Sequence, residues 1–286
     1  MRWRKARRSD NVVDARGRSG GIGGGRLTLA GVAIVVVIGL LSGQDPMQIL
    51  GQLTDQSGPT PTQQSSAPAN GDDPQVAFVQ SILGDTEDTW RALFQQSGQQ
   101  YRDPTLVLFR GGVNSACGFA NSAVGPFYCP GDQQVYLDLQ FFDEMASRFS
   151  VAGDFAQAYV IAHEVGHHVQ TLLGVSQQMQ AARQRGARME GDNGLLVRQE
   201  LQADCFAGAW ANHAQQRHDW LEEGDLEEAL NAANAIGDDR LQQQSQGRVV
   251  PDAFTHGTSA QRVKWFRIGF DSGDPTRCDT FQTQRL

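Results

Sequence analysis

The sequence predicts a helix-dominated α+β domain, and three observations carry that expectation. Short β-favouring runs, Thr105 to Phe109 and Val135 to Leu139, are bounded by Gly, Pro and Asp. From residue 140 onward the apolar residues recur at helical spacing. Strands thus come first and helices second, the order of a mostly helical fold with a small β-sheet.

Composition bounds what the chain can be. With 286 residues, 40% apolar and 20% charged, it is neither collagenous, coiled-coil nor fully disordered. The net charge of −8 is unevenly spread. Residues 1–26 carry eight Lys/Arg against Asp10 and Asp14, so the remainder is strongly acidic. An acidic body argues against nucleic acid as a partner, because a phosphate-binding body should be basic.

Taken in order, residues 1–26 read as a basic leader, cytoplasmic by the positive-inside rule. Leu27 to Gly43 is uncharged and mostly apolar, at the short limit for a membrane span. Its exit lacks an A-x-A-like site, which favours an uncleaved transmembrane signal anchor over 27–43 in the cytoplasmic membrane, with the rest of the chain periplasmic or extracellular. Residues 44–73, rich in Gln, Ser, Thr, Pro and Gly, read as a flexible linker. The body is then 74–286. Val76, Val79, Leu83, Trp90, Leu93 and Phe94 predict one or two helices over 75–98, and further helices are expected over 154–173, 193–215, 223–235 and 258–270. The polar stretch from Ser176 to Asn193 reads as a solvent-facing helix, with a lid as the other possibility.

Four cysteines would all lie on the outer side. Cys117 and Cys129 flank eleven turn-rich residues, suiting a Cys117–Cys129 staple and leaving Cys205–Cys278 to tie a helix to the C-terminal tail. With no C-x-x-C pair, a cysteine zinc site is the weaker reading.

The chemistry concentrates at His163-Glu164-Val165-Gly166-His167. Residues four apart on a helix share a face, so both imidazoles can meet one metal ion while Glu164 reaches a water. His168 is rotated off that face and reads as a cleft or capping residue. A catalytic zinc needs a third protein ligand. Six residues after His167 stands Leu173, which excludes the metzincin arrangement. Glu200 and Asp204 lie one turn apart in an otherwise apolar segment, so Glu200 is the expected third metal ligand and Asp204 the acceptor that orients a ligand imidazole. Glu190 and Asp192, in a polar stretch, are weaker candidates.

These residues, with the leader Arg7-Arg8-Ser9-Asp10-Asn11-Val12-Val13-Asp14, the doubled His167-His168 and Arg198-Gln199-Glu200-Leu201-Gln202-Ala203-Asp204-Cys205, resemble the "putative neutral zinc metallopeptidase" family of single-anchor bacterial proteins. The leader departs at Val13, where the family has Glu. The resemblance implies a zincin-like, gluzincin-like peptidase domain with one catalytic Zn2+. A stretch around Thr255-His256-Gly257-Thr258 resembles the Thr-His segment before the last helix of membrane-associated gluzincins, which implies His256 as oxyanion donor and Arg262 as a supporting residue. The expected chemistry is peptide hydrolysis outside the membrane with Glu164 as general base, the peptide pairing with the edge of a strand near Val135–Leu139. A cell-wall amidase and a silent zinc-stabilised binding module are the competing readings.

Overall fold

Residues 1–17, 73–149 and 153–286 are described by the computed structural model. The expected anchor at 27–43 and nearly all of the linker at 44–73 lie outside the described residues. Among the described residues no helix is long and apolar enough to cross a membrane.

The sheet has the order β1-β2-β6-β5, with β1 Val12–Asp14, β2 Thr105–Phe109, β6 Gln134–Asp138 and β5 Phe127–Cys129. β1, β2 and β6 run parallel, and β5 lies antiparallel to β6 at one edge. Alternation along the strands separates two apolar faces: Leu106, Leu108, Val135 and Leu137 join the main core, while Val107, Phe109, Tyr136 and Cys129 form a smaller cluster on the other face. A hairpin of β3 Gly112–Ser115 and β4 Gly118–Asn121 leads into β5, and the Cys117–Cys129 disulfide ties the two together.

The helices are α1 Pro74–Gln96, α2 Gln140–Phe149, α3 Asp154–Leu172, α4 Val175–Gln184, α5 Leu195–His218, α6 Asp225–Ala235, α7 Asp238–Gln246 and α8 Ser259–Ser272. The start of α1 follows from its sequence: Pro74 fits the first turn and Asp73 accepts the Gln75 N–H. Two glycines set the tightest helix crossing. A Cβ at Gly208 would lie 2.0 Å from the Phe266 carbonyl oxygen, and one at Gly269 1.9 Å from that of Cys205, so α5 and α8 pack backbone to backbone. The Cys205–Cys278 disulfide closes the C-terminal tail onto α5.

The expected helices near 75–98, 154–173, 193–215, 223–235 and 258–270 are present as α1, α3, α5, α6 and α8, the first as one continuous helix. The stretch from Ser176 is helical through Gln184, with Met179 and Ala182 buried. β5 escapes sequence reading because three residues between Pro126 and Pro130 are too few to show alternation.

The described part of the leader, residues 1–17, packs on the body, and residues 18–26 lie outside the described residues. Residues 1–17 belong to the same compact unit as the body. Trp3 is buried, packs edge-on against Phe78 at 5.2 Å and donates its indole N–H to Asp154 at 2.9 Å. Arg7, Ser9 and Asn11 converge on the buried carboxylate of Glu87. Basic residues that read as an orientation signal thus pair with carboxylates of the domain. β1 pairs in parallel with β2, so residues 12–14 are part of the sheet of the body.

Candidate active site

α3 places the first candidates. Its two histidines stand one turn apart, ring centres 4.8 Å from each other. Gly166 between them allows α5 to approach, since a Cβ there would meet the Ala203 carbonyl oxygen at 3.0 Å. Glu200 on α5 therefore reaches both rings: its Oε2 is 3.2 Å from His163 Nε2 and 3.5 Å from His167 Nε2.

Each Nδ1 is turned the other way. His163 Nδ1 lies 2.8 Å from Asp204 Oδ1. Asp204 is fully buried and also accepts from the Tyr159 hydroxyl at 2.5 Å and from Nε and Nη2 of Arg262, both at 2.9 Å. His167 Nδ1 lies 2.9 Å from Gln170 Oε1. The two Nε2 atoms and the Glu200 oxygen thus face one another, and the candidate ligand atoms of the three residues all lie within 4.8 Å of one another.

The electrostatics call for a cation at that point. Burial works against charge on His163, yet the charge and hydrogen bond of Asp204 and the hydrogen bond of Glu200 hold its pKa up at about 10. Burial would raise Asp204, but Arg262 and His163 draw it down to about 2. Glu200 is likewise held well below the usual carboxylate range, against burial, by His167 and His163. Two ionised carboxylates therefore face one guanidinium, and the imidazoles supply the missing positive charge only by taking up protons. Two imidazole nitrogens and one carboxylate oxygen form the donor set of a catalytic zinc ion, and the residues fit that ion.

Glu164 and His256 line the same cleft, of about 580 Å3, as His163, His167 and Glu200. His256 sits in the loop before α8, and Asp238 at the start of α7 holds that loop by accepting the N–H groups of Thr255, His256 and Gly257 at 2.6, 2.6 and 3.0 Å. His256 Nδ1 lies 2.9 Å from Thr255 Oγ1 and 3.4 Å from Asp238 Oδ1, leaving Nε2 as its remaining ring nitrogen. Burial opposes protonation of His256, but its hydrogen bond to Asp238 and the charge of Glu200 raise its pKa above the ordinary value. Thr258 and Gln261 form a capping box that starts α8 and delivers Arg262 to Asp204.

Two expectations are corrected. His168 is neither a cleft nor a capping residue: it is buried, with Nε2 2.6 Å from the Arg102 carbonyl and Nδ1 3.2 Å from the Tyr128 hydroxyl. A carbonyl only accepts, so Nε2 carries the proton and Nδ1 accepts from Tyr128, fastening β5 to α3. The strand over Val135–Leu139 is β6, which is paired on both sides; the edge strand beside α3 is β5, whose Phe127 and Tyr128 line the cleft. Sequence reasoning also missed Tyr159, Gln170, Gln202 and Asp238. Tyr159 was within reach, lying four residues before His163 on the same helix face.

Comparison with known proteins agrees with this geometry. A family model described as "Putative neutral zinc metallopeptidase" matches residues 1–281. The uncharacterized protein YpfJ of Escherichia coli strain K12 is 52% identical over 98% of this chain and 99% of its own length. The uncharacterized protein Mb2605 of Mycobacterium bovis is 45% identical over 73% of each chain. No solved structure matches.

Proposed function

Because the chain belongs to the neutral zinc metallopeptidase family, we propose that it is a zinc-dependent endopeptidase whose ion is held by His163, His167 and Glu200. The observation that carries this reading is the convergence of three donor atoms in an open cleft that also holds Glu164 and His256. When bound, zinc polarises a carbonyl and brings the pKa of water from 15.7 towards about 7.

The chain's own groups supply the rest. Glu164 takes the proton of the attacking water and passes it to the leaving amine. His256, held by Asp238, donates from Nε2 to the carbonyl oxygen as negative charge develops there. Asp204, neutralised by Arg262, fixes His163 with its proton on Nδ1. An extended peptide adds to the outer edge of β5, which supplies backbone hydrogen bonds without demanding one sequence. Phe127, Phe141, Val160, Ile236 and Leu241 line the cleft, which favours a bulky apolar residue beside the scissile bond. Two disulfides support an oxidising compartment outside the cytoplasm, shared by residues 1–17 and the body.

The test is incubation of the zinc-loaded full chain with an unfolded protein and, separately, with peptidoglycan fragments, each with and without chelator. Chelator-sensitive cleavage of the protein is expected, and Glu164→Gln should lower it about 100- to 10,000-fold while keeping its zinc. Cleavage of peptidoglycan alone would replace the reading with a cell-wall amidase, and full activity in Glu164→Gln would remove Glu164 as the base.

A further inference from the structure

His163 is oriented by a carboxylate, but His167 is oriented by an amide, and an amide can present either its oxygen or its NH2. The surroundings of Gln170 decide which. Its Nε2 lies 2.7 Å from the Gln199 main-chain carbonyl and 3.0 Å from Gln202 Oε1. Gln202 is oriented in turn by its own Nε2, 3.0 Å from the Cys278 carbonyl. A main-chain carbonyl can only accept, so the NH2 of Gln202 must face Cys278 and its oxygen must face Gln170. Gln170 then gives both of its hydrogens, to Gln199 and Gln202, and its oxygen faces His167 Nδ1 at 2.9 Å. That oxygen needs a donor, which puts the proton on Nδ1 and leaves the Nε2 lone pair towards Glu200.

We propose that Gln170 and Gln202 are positioning residues for metal binding, an amide relay anchored on the Cys278 carbonyl that holds His167 as its Nδ1–H tautomer and presents Nε2 to the ion. The proposal rests on the reading of His167 as a zinc ligand. Gln170 is fully buried and Gln202 nearly so, which leaves little room for water to replace either amide. The anchor is rigid for a covalent reason: Cys278 is bonded to Cys205 on α5, the helix that also carries Gln199, Glu200 and Gln202. The tail is further held by the Thr280 hydroxyl on the Arg198 carbonyl at 2.6 Å. The C-terminal tail, more than a hundred residues from His167 in sequence, thereby becomes part of the support of the metal site.

The test measures zinc affinity of the full chain by competition with a chromogenic chelator, in Gln170→Leu, Gln202→Leu, the double variant and His167→Ala, with the melting temperature of each metal-free protein as a folding control. Loss of an orienting partner typically weakens metal binding about 10- to 100-fold. Gln170→Leu should show that loss, Gln202→Leu a smaller one, and the double variant no more than Gln170→Leu alone, because Gln202 acts only through Gln170. In protein loaded with cadmium-113, nitrogen-15 coupling should report Nε2 of His167 as the bound nitrogen in the wild type and weaken in Gln202→Leu, a readout that general destabilisation does not produce. Unchanged affinity in both single variants, or additive losses in the double, would overturn the relay while leaving His167 a ligand. Wild-type affinity in His167→Ala would overturn the ligand assignment and the relay with it.

Discussion

Arg262→Met isolates the charge that the site keeps in its interior. Arg262 is buried and makes two hydrogen bonds to Asp204, one to the Tyr159 hydroxyl at 3.1 Å and one to the Ile236 carbonyl at 3.3 Å. Methionine fills much the same volume and removes all four. Asp204 then keeps Tyr159 and His163, which carries a proton at pH 7 in the metal-free chain, but loses its guanidinium, and breaking a buried ion pair by removing one partner costs up to about 3–5 kcal/mol. In a domain of this size that corresponds to a fall of roughly 6–20 °C in melting temperature. The assay is urea unfolding of the metal-free chain at pH 7 and again at pH 4. Arg262 helps hold the Asp204 pKa at about 2, so without it the carboxyl takes up a proton more readily, and the gap between wild type and variant should narrow as pH falls. Asp204→Asn combined with Arg262→Met should cost less than the two single losses added together. A loss below about 1 kcal/mol, a gap that does not change with pH, or strict additivity would refute the reasoning.

Replacing Cys205 and Cys278 with serine opens a loop of sequence separation 73, which in the chain-entropy account removes about 4 kcal/mol; urea unfolding measures that, and chelator competition should show weakened zinc binding as the Cys278 carbonyl is freed. Removing residues 1–17 exposes the site where Trp3 and Val12 are buried and should cost about 3–6 kcal/mol, with a synthetic peptide of that sequence restoring the melting temperature in trans. Arg16 bridges Asp14 on β1 and Asp73 at the start of α1, and its hydrogen bonds are the main reason the Asp14 pKa is lowered. This contribution is complete above the ordinary value of 3.8 and is lost as pH falls through the lowered one, so acid titration of the wild type, but not of Arg16→Ala, should show a step of about 1 kcal/mol there.

The legible and illegible parts of this protein divide by the range of the interaction involved. His163, Glu164 and His167 could be read because a helix brings residues four apart onto one face whatever else the chain does. Glu200 and Asp204 followed the same rule on α5, and their apolar neighbours marked a segment in which Asp204 is buried and Glu200 partly so. The disulfide pairs were readable because turn-rich spacing selected Cys117 with Cys129 and left only one other pair. His168 misled because helix geometry says only that it leaves the ligand face; what it then meets, the Arg102 carbonyl and Tyr128, comes from segments some 40 to 66 residues earlier.

By itself the sequence determined the local chemistry: two imidazoles and a carboxylate at helical spacing, an acidic pair on a second helix, and enough apolar periodicity to place the main helices. Only the tertiary structure decided that residues 1–17 complete the sheet, that β5 rather than β6 forms the open edge, and that an amide relay from the tail supports His167. The physical reason is the same in each case. Strand partners, the removal of a charge from water and the direction of an amide depend on groups far away in the chain, and nothing in the spacing of nearby residues records where those groups come to rest.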